Sequence, residues 1–213
     1  MRILWLILSC LILISCSDKG KERSVITKSD DGVTYTNEYF GLTVTKPSGW
    51  YSQSPEATMK LNKAGASMMA GDNQNMKAVF EQSLKSTVPV FAFFQSEPGA
   101  PVRTNPNVIS VAENISVMPG IKTGCDYLYH ARNALSHAAI KMEISPGCNT
   151  VKHGKANLGY FDLTTHLNGL DVSQRYYACV QGSHAISIIQ TYFDDASRKM
   201  VDDVLDSVKV ECN

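Results

Sequence analysis

The chain has 213 residues, 44% of them apolar and 19% charged, which is globular composition and enough length for one domain with a sizeable core. Basic and acidic residues balance at 20 each with no basic run, which argues against nucleic acid, bound by neutralising phosphates, and against electrostatic docking on a membrane.

Arg2 precedes an apolar run from Ile3 to Ile14 that ends in Leu13-Ile14-Ser15-Cys16. A basic start, a short apolar helix and a small residue before the cut are the parts of a secretory leader. About a dozen apolar residues fall short of the roughly 20 that span a bilayer, so a transmembrane anchor is the weaker reading. The pattern resembles a bacterial lipoprotein signal. That resemblance implies removal of residues 1–15, acylation of Cys16 on sulfur, and attachment to a membrane through lipid. Ser17 stands where an Asp would resemble an inner-membrane retention signal, so the outer membrane is the expected destination. Residues 16–31 are polar without apolar periodicity and read as a flexible tether to a domain over 32–213. Loss of Arg2 with the leader leaves 19 basic against 20 acidic residues.

Val33–Thr36 and Leu42–Thr45 are β-branched and alternating, with turn material between them, and predict a hairpin that Pro47-Ser48-Gly49 ends. Ser54–Leu61 is a short helix or a loop. Asn73–Thr87 predicts a helix, because Met76, Val79, Phe80 and Leu84 recur at three- and four-residue spacings after a cap-like Asp72. Val88–Phe94 is apolar on both faces and predicts a buried strand entered through Pro89.

A Pro- and Gly-bearing loop leads to a strand over Asn107–Ile115, where Ile109, Val111, Glu113 and Ile115 share one face. Gly124–His137 predicts a helix with the stripe Cys125, Leu128, Arg132 and Leu135. Asn168-Gly169 suits a two-residue hairpin loop, and that register sets Tyr160 opposite Tyr177, Phe161 opposite Tyr176, Asp162 opposite Arg175 and His166 opposite Asp171. A turn at Gly182-Ser183 returns the chain as a strand over Ala185–Phe193. Asp194-Asp195 then open a helix carrying Met200, Val201, Val204, Leu205 and Val208, and Lys209–Cys212 predicts a short edge strand. The elements assemble into an α/β fold: a mainly antiparallel sheet flanked by helices on both faces.

Cys125, Cys148, Cys179 and Cys212 remain in the exported domain. An even count there points to disulfides; zinc is the rival, but no pair has the close spacing of structural zinc sites. Three pairings are open. A helix over 124–137 rises about 20 Å, and a strand returning along it covers that in six or seven residues, which brings Cys148 to Cys125. The last helix brings Cys212 back towards Cys179. The expected bonds are therefore Cys125–Cys148 and Cys179–Cys212.

Tyr39-Phe40-Gly41-Leu42-Thr43-Val44, followed by Lys46-Pro47-Ser48-Gly49-Trp50, resembles the first hairpin and Pro-x-Gly-Trp turn of PsbP-like domains. The closing hairpin at Asn168-Gly169, the strand to Tyr192 and the final amphipathic helix are similar as well. The resemblance implies an α/β/α sandwich serving as an accessory or binding protein without catalysis or cofactor. With the lipoprotein signal, it favours DcrB-type envelope lipoproteins and an envelope protein partner. It assigns no catalytic residue. Trp50 packs on the core in this reading, and the loops Ser96–Asn107 and Met118-Pro119-Gly120 are left to carry specificity.

Catalytic motifs are lacking: there is no Gly-x-Ser-x-Gly, His-Glu-x-x-His, phosphate-binding Gly-rich loop or Cys-x-x-Cys. His130 and His137 share a helix face but stand two turns apart, about 10.5 Å, too far for one ion. A hydrolase reading rests on His166 with Asp162. A metal- or small-ligand reading rests on Met59, Met68, Met69 and Met76, since thioethers bind copper(I) and also fill cores.

Overall fold

The computed structural model describes residues 25–167 and 169–212. The leader, Cys16, Ser17 and Asn168 lie outside the described residues. In chain order the elements are β1 (Thr34–Asn37), β2 (Leu42–Thr45), β3 (Tyr51–Ser52), α1 (Pro55–Ala70), α2 (Gln74–Ser86), β4 (Thr87–Phe94), β5 (Asn107–Asn114), α3 (Gly124–Ser136), β6 (Met142–Ile144), β7 (Asn149–His153), β8 (Ala156–Leu167), β9 (Leu170–Gln181), β10 (His184–Tyr192) and α4 (Asp195–Ser207). The main sheet runs β3-β4-β5-β10-β9-β8-β6, with β7 also on the outer edge of β8, and its pairs are antiparallel.

Local chemistry starts each helix. Thr123 and Asp126 form a reciprocal capping box on α3, as Asp194 and Ser197 do on α4; Ser54 caps α1 ahead of Pro55. The cap of α2 is Asn73 rather than Asp72, because the Asn73 side chain accepts from the amides of Asn75 and Met76. The hairpin of β8 and β9 has the expected register, including Phe161 with Tyr176, Asp162 with Arg175 and His166 with Asp171, and Gly169 takes φ +73° in its turn.

Both faces of the sheet are covered. On one face α4 and the β1–β2 hairpin seal a core of Phe40, Leu42, Phe93, Val108, Ile186 and Val204, against which Trp50 packs. Gln190, buried beneath α4, donates to Val201 O (2.9 Å) and Asp202 Oδ1 (3.0 Å), which satisfies its amide. On the other face α3 lays Leu128 and Leu135 on Phe161, Leu163 and Ala178. Cys125 is bonded to Cys148 and Cys179 to Cys212, each pair with Cα atoms 5.7 Å apart.

Several details differ from expectation. The segment read as a short helix or a loop from Ser54 is a helix of 16 residues, Pro55–Ala70, capped by Ser54, so Met59, Met68 and Met69 are helical. The first hairpin forms its own two-stranded sheet. Lys209 bridges Thr43 of that hairpin instead of adding an edge strand, since Val208 and Val210 are drawn into the core beside it. At the end of the presumed tether, residues 25–31 are tied to β1: Lys28 pairs with Thr36, and Asn37 Nδ2 donates to Val25 O (2.8 Å). Met200, read as part of the α4 stripe, is exposed.

Candidate functional site

The helical layer over the second face is divided. The α1–α2 pair covers β4 and β5, α3 covers β8 and β9, and the strip of sheet between them is left open. A cavity of about 610 Å³ occupies this gap, within the roughly 300–1,000 Å³ of small-molecule sites.

Its floor follows from the two-residue period of the strands. Ile109, Ile189 and Tyr176 lie in one cross-strand row, and the Tyr176 ring stacks on Phe161 with centroids 5.1 Å apart. Thr191 and Gln174 form the next row, where Gln174 Nε2 donates to Thr191 Oγ1 (3.1 Å). The walls are Leu61, Met68 and Met69 of α1, Phe80 and Leu84 of α2, and Tyr127, Ala131 and Leu135 of α3. Ala139 N donates to Met69 O (2.7 Å) and joins the end of α1 to the segment after α3, while Met118 and Ile121 lie at the other end.

Polar groups are few and placed at the edges. Glu113 is almost fully buried at the end of the β5 row; its Oε2 accepts from Tyr127 Oη (2.7 Å) and its Oε1 lies 3.1 Å from Ser86 Oγ. Burial and the adjacent Glu113 charge both push the Tyr127 phenol far up, and burial alone raises Tyr176 to about 12. Both phenols therefore stay neutral hydrogen-bonding groups across the physiological range. Such a site can enclose an apolar body and orient it at one end.

His166 is elsewhere, on the exposed edge of the sheet. Its Nδ1 donates to Asp171 Oδ1 (2.6 Å) and its Nε2 lies 3.3 Å from Glu143 Oε1. Asp162 is not brought to it: four residues along the strand separate them by about 13 Å, and Asp162 is held bidentately by Arg175 at 2.6 and 2.9 Å. Arg175 also lies 4.8 Å from the centroid of the Tyr160 ring. The hydrogen bond to Asp171, then that to Glu143, raises His166 above its ordinary value of 6.5. Its contribution to stability is thus full below that value and is lost as pH rises through the raised one. An NMR titration is expected to place its midpoint above 6.5, with D171N and E143Q each lowering it; a wild-type midpoint at or below 6.5 contradicts this geometry.

Met68 and Met69 line the cavity, whereas Met59 and Met76 do not, so the four thioethers do not converge. Among the described residues no group of three or more His, Cys, Asp or Glu is arranged to hold a metal ion. His130 lies at the cavity rim and His137 turns its Nδ1 to Asn133 O (2.8 Å). Of the loops left to carry specificity, only the second contributes here, through Met118. Sequence reasoning missed the cavity; its trace was Glu113 on an otherwise apolar strand face with Ile109 and Val111.

No protein-family model matches the chain, and no curated protein matches its sequence. Among solved structures it is similar to LpqN, involved in cell envelope biogenesis of Mycobacterium tuberculosis, at 12% identity over 86% of this chain and 87% of that one, with a TM-score of 0.44. It is likewise similar to the cyanobacterial PsbP (CyanoP) of Synechocystis, at 12% identity, covering 93% of this chain and 98% of that one, with a TM-score of 0.48. A Bacteroides thetaiotaomicron protein matches at 13% identity over 80% of this chain with a TM-score of 0.42, and the chain spans 45% of that protein's length.

Proposed function

We propose that this protein is an envelope lipoprotein, held to the outer membrane by lipid on Cys16, whose domain binds a small apolar component of the envelope without catalysis. The observation that carries the reading is the cavity between α1, α2 and α3, with its apolar walls and a single buried carboxylate. The leader residues and two disulfides fit export to an oxidising compartment. No helix among the described residues is long and apolar enough to cross a membrane, so attachment in this reading rests on the acyl chains of Cys16.

Next in the chain to the cavity residues Met118 and His130, Val117 is 83% exposed and Tyr129 68% exposed, which fits contact with a second envelope protein. The test is organic extraction of the full chain purified from its own membranes. Wild type is expected to release a stoichiometric small molecule, and Ala131→Trp, which fills the cavity from α3, to release at least tenfold less. Equal yields from the two proteins, or none from either, would overturn the binding role. In the same spectra Cys16→Ser should appear as an uncleaved, lipid-free precursor.

A further inference from the structure

The one carboxylate of the cavity lacks a cationic partner. Glu113 is 6% exposed, and no Lys, Arg or His among the described residues pairs with it. Its two contacts are to neutral hydroxyls, and the Ser86 hydroxyl, with one proton to give, lies as near Ser83 O (3.0 Å) as Glu113 Oε1 (3.1 Å). An ionised carboxylate accepts at about four positions, so Tyr127 and Ser86 leave acceptor capacity unfilled. A buried charge without a counter-charge is costly, and apolar walls offer no screening to offset it. The residues lining the cavity include no other acid and no Lys or Arg. Its one histidine, His130, lies at the rim and makes no ion pair with Glu113, so the compensating charge is left to what enters.

Resting on the reading of this cavity as a ligand site, we infer that its occupant is a protonated amine joined to an apolar body, the ammonium pairing with Glu113 and the apolar part lying along Ile109, Ile189 and Tyr176. A carboxylic or phosphate-bearing amphiphile is disfavoured, because its charge would meet Glu113 in a site lined by no Lys or Arg to separate them. A neutral alcohol would gain one hydrogen bond but leave the carboxylate uncompensated.

The probes are octylamine, octanol and octanoate, titrated calorimetrically into the full chain in lipid nanodiscs with empty discs as baseline. Octylamine is expected to bind at least tenfold tighter than octanol, and octanoate more weakly than either. E113Q should abolish the preference for the amine, bringing octylamine and octanol within twofold of each other on that variant. If amine and alcohol bind wild type within twofold of each other, or octanoate binds tightest, the ammonium assignment is wrong while the cavity remains a binding site. If none of the three gives heat beyond empty discs, the cavity reading itself falls, and the ammonium assignment with it. The three probes decide this on the unaltered protein even where E113Q does not fold.

Discussion

Gly124→Ala is expected to lower stability by about 3 kcal/mol or more, the upper end of the overpacking range, and the melting temperature by roughly 10 °C for a domain of this size. A Cβ on Gly124 would stand 1.9 Å from Ala178 O and 2.6 Å from Ala178 C. The reciprocal position is as tight: a Cβ on Gly159 would lie 2.7 Å from Cys125 N and 2.9 Å from Gly124 C. These are backbone atoms of paired strands and of a helix start, so no side chain can rotate away. Retreat of α3 is resisted by its capping box and by the Cys125–Cys148 bond. The helix must lift from β8 and β9, and Leu128 loses its seat on Phe161. Since α3 is one wall of the cavity, octanol affinity should fall as well. Gly65→Ala is the control: a Cβ there meets nothing within 4 Å, and in the interior of α1 the change should be neutral or stabilising by up to about 1 kcal/mol. A Gly124→Ala protein melting within a degree of wild type would refute the close approach.

Loss of the Cys179–Cys212 bond, by Cys212→Ser, is expected to cost about 4 kcal/mol. The bond closes a sequence separation of 33, and loop-closure entropy alone contributes about 3.7 kcal/mol at that length, against about 3.4 kcal/mol for the separation of 23 between Cys125 and Cys148. Burial widens the difference. Cys179 and Cys212 are both in the main core, next to Val208 and Val210, whereas Cys125 and Cys148 are half-exposed. Without the bond the last residues can leave, and the Lys209 bridge that holds the β1–β2 hairpin over the sheet goes with them. Urea unfolding of Cys212→Ser beside Cys148→Ser tests the order. Graded reduction with thiol trapping should open Cys125–Cys148 first. The reverse order of reduction, or a smaller loss for Cys212→Ser, would show that the tail is not held as described.

Legibility in the sequence followed the range of the forces. Phe161 faced Tyr176 as expected because two-residue alternation and a positive-φ turn set a register within a few residues of the chain. Both disulfides followed from rises per residue along neighbouring elements. α1 was only half visible: Thr58 and Ala70 are its buried residues, and such small side chains leave no apolar stripe to read. Asp162 could be set opposite Arg175 by register, but that the guanidinium would claim both carboxylate oxygens, leaving His166 to Asp171 and Glu143, required coordinates.

The sequence by itself thus determined seven of the ten strands, three of the four helices, the closing hairpin and the pairing of the cysteines, since periodicity, capping and turn chemistry act between near neighbours. The tertiary structure alone decided the cavity and the setting of Glu113. An opening in a helical layer depends on where α1, α2 and α3 come to rest on one sheet, and that placement is set by packing among residues far apart in the chain, including the contact of Gly124 with the strand at Ala178.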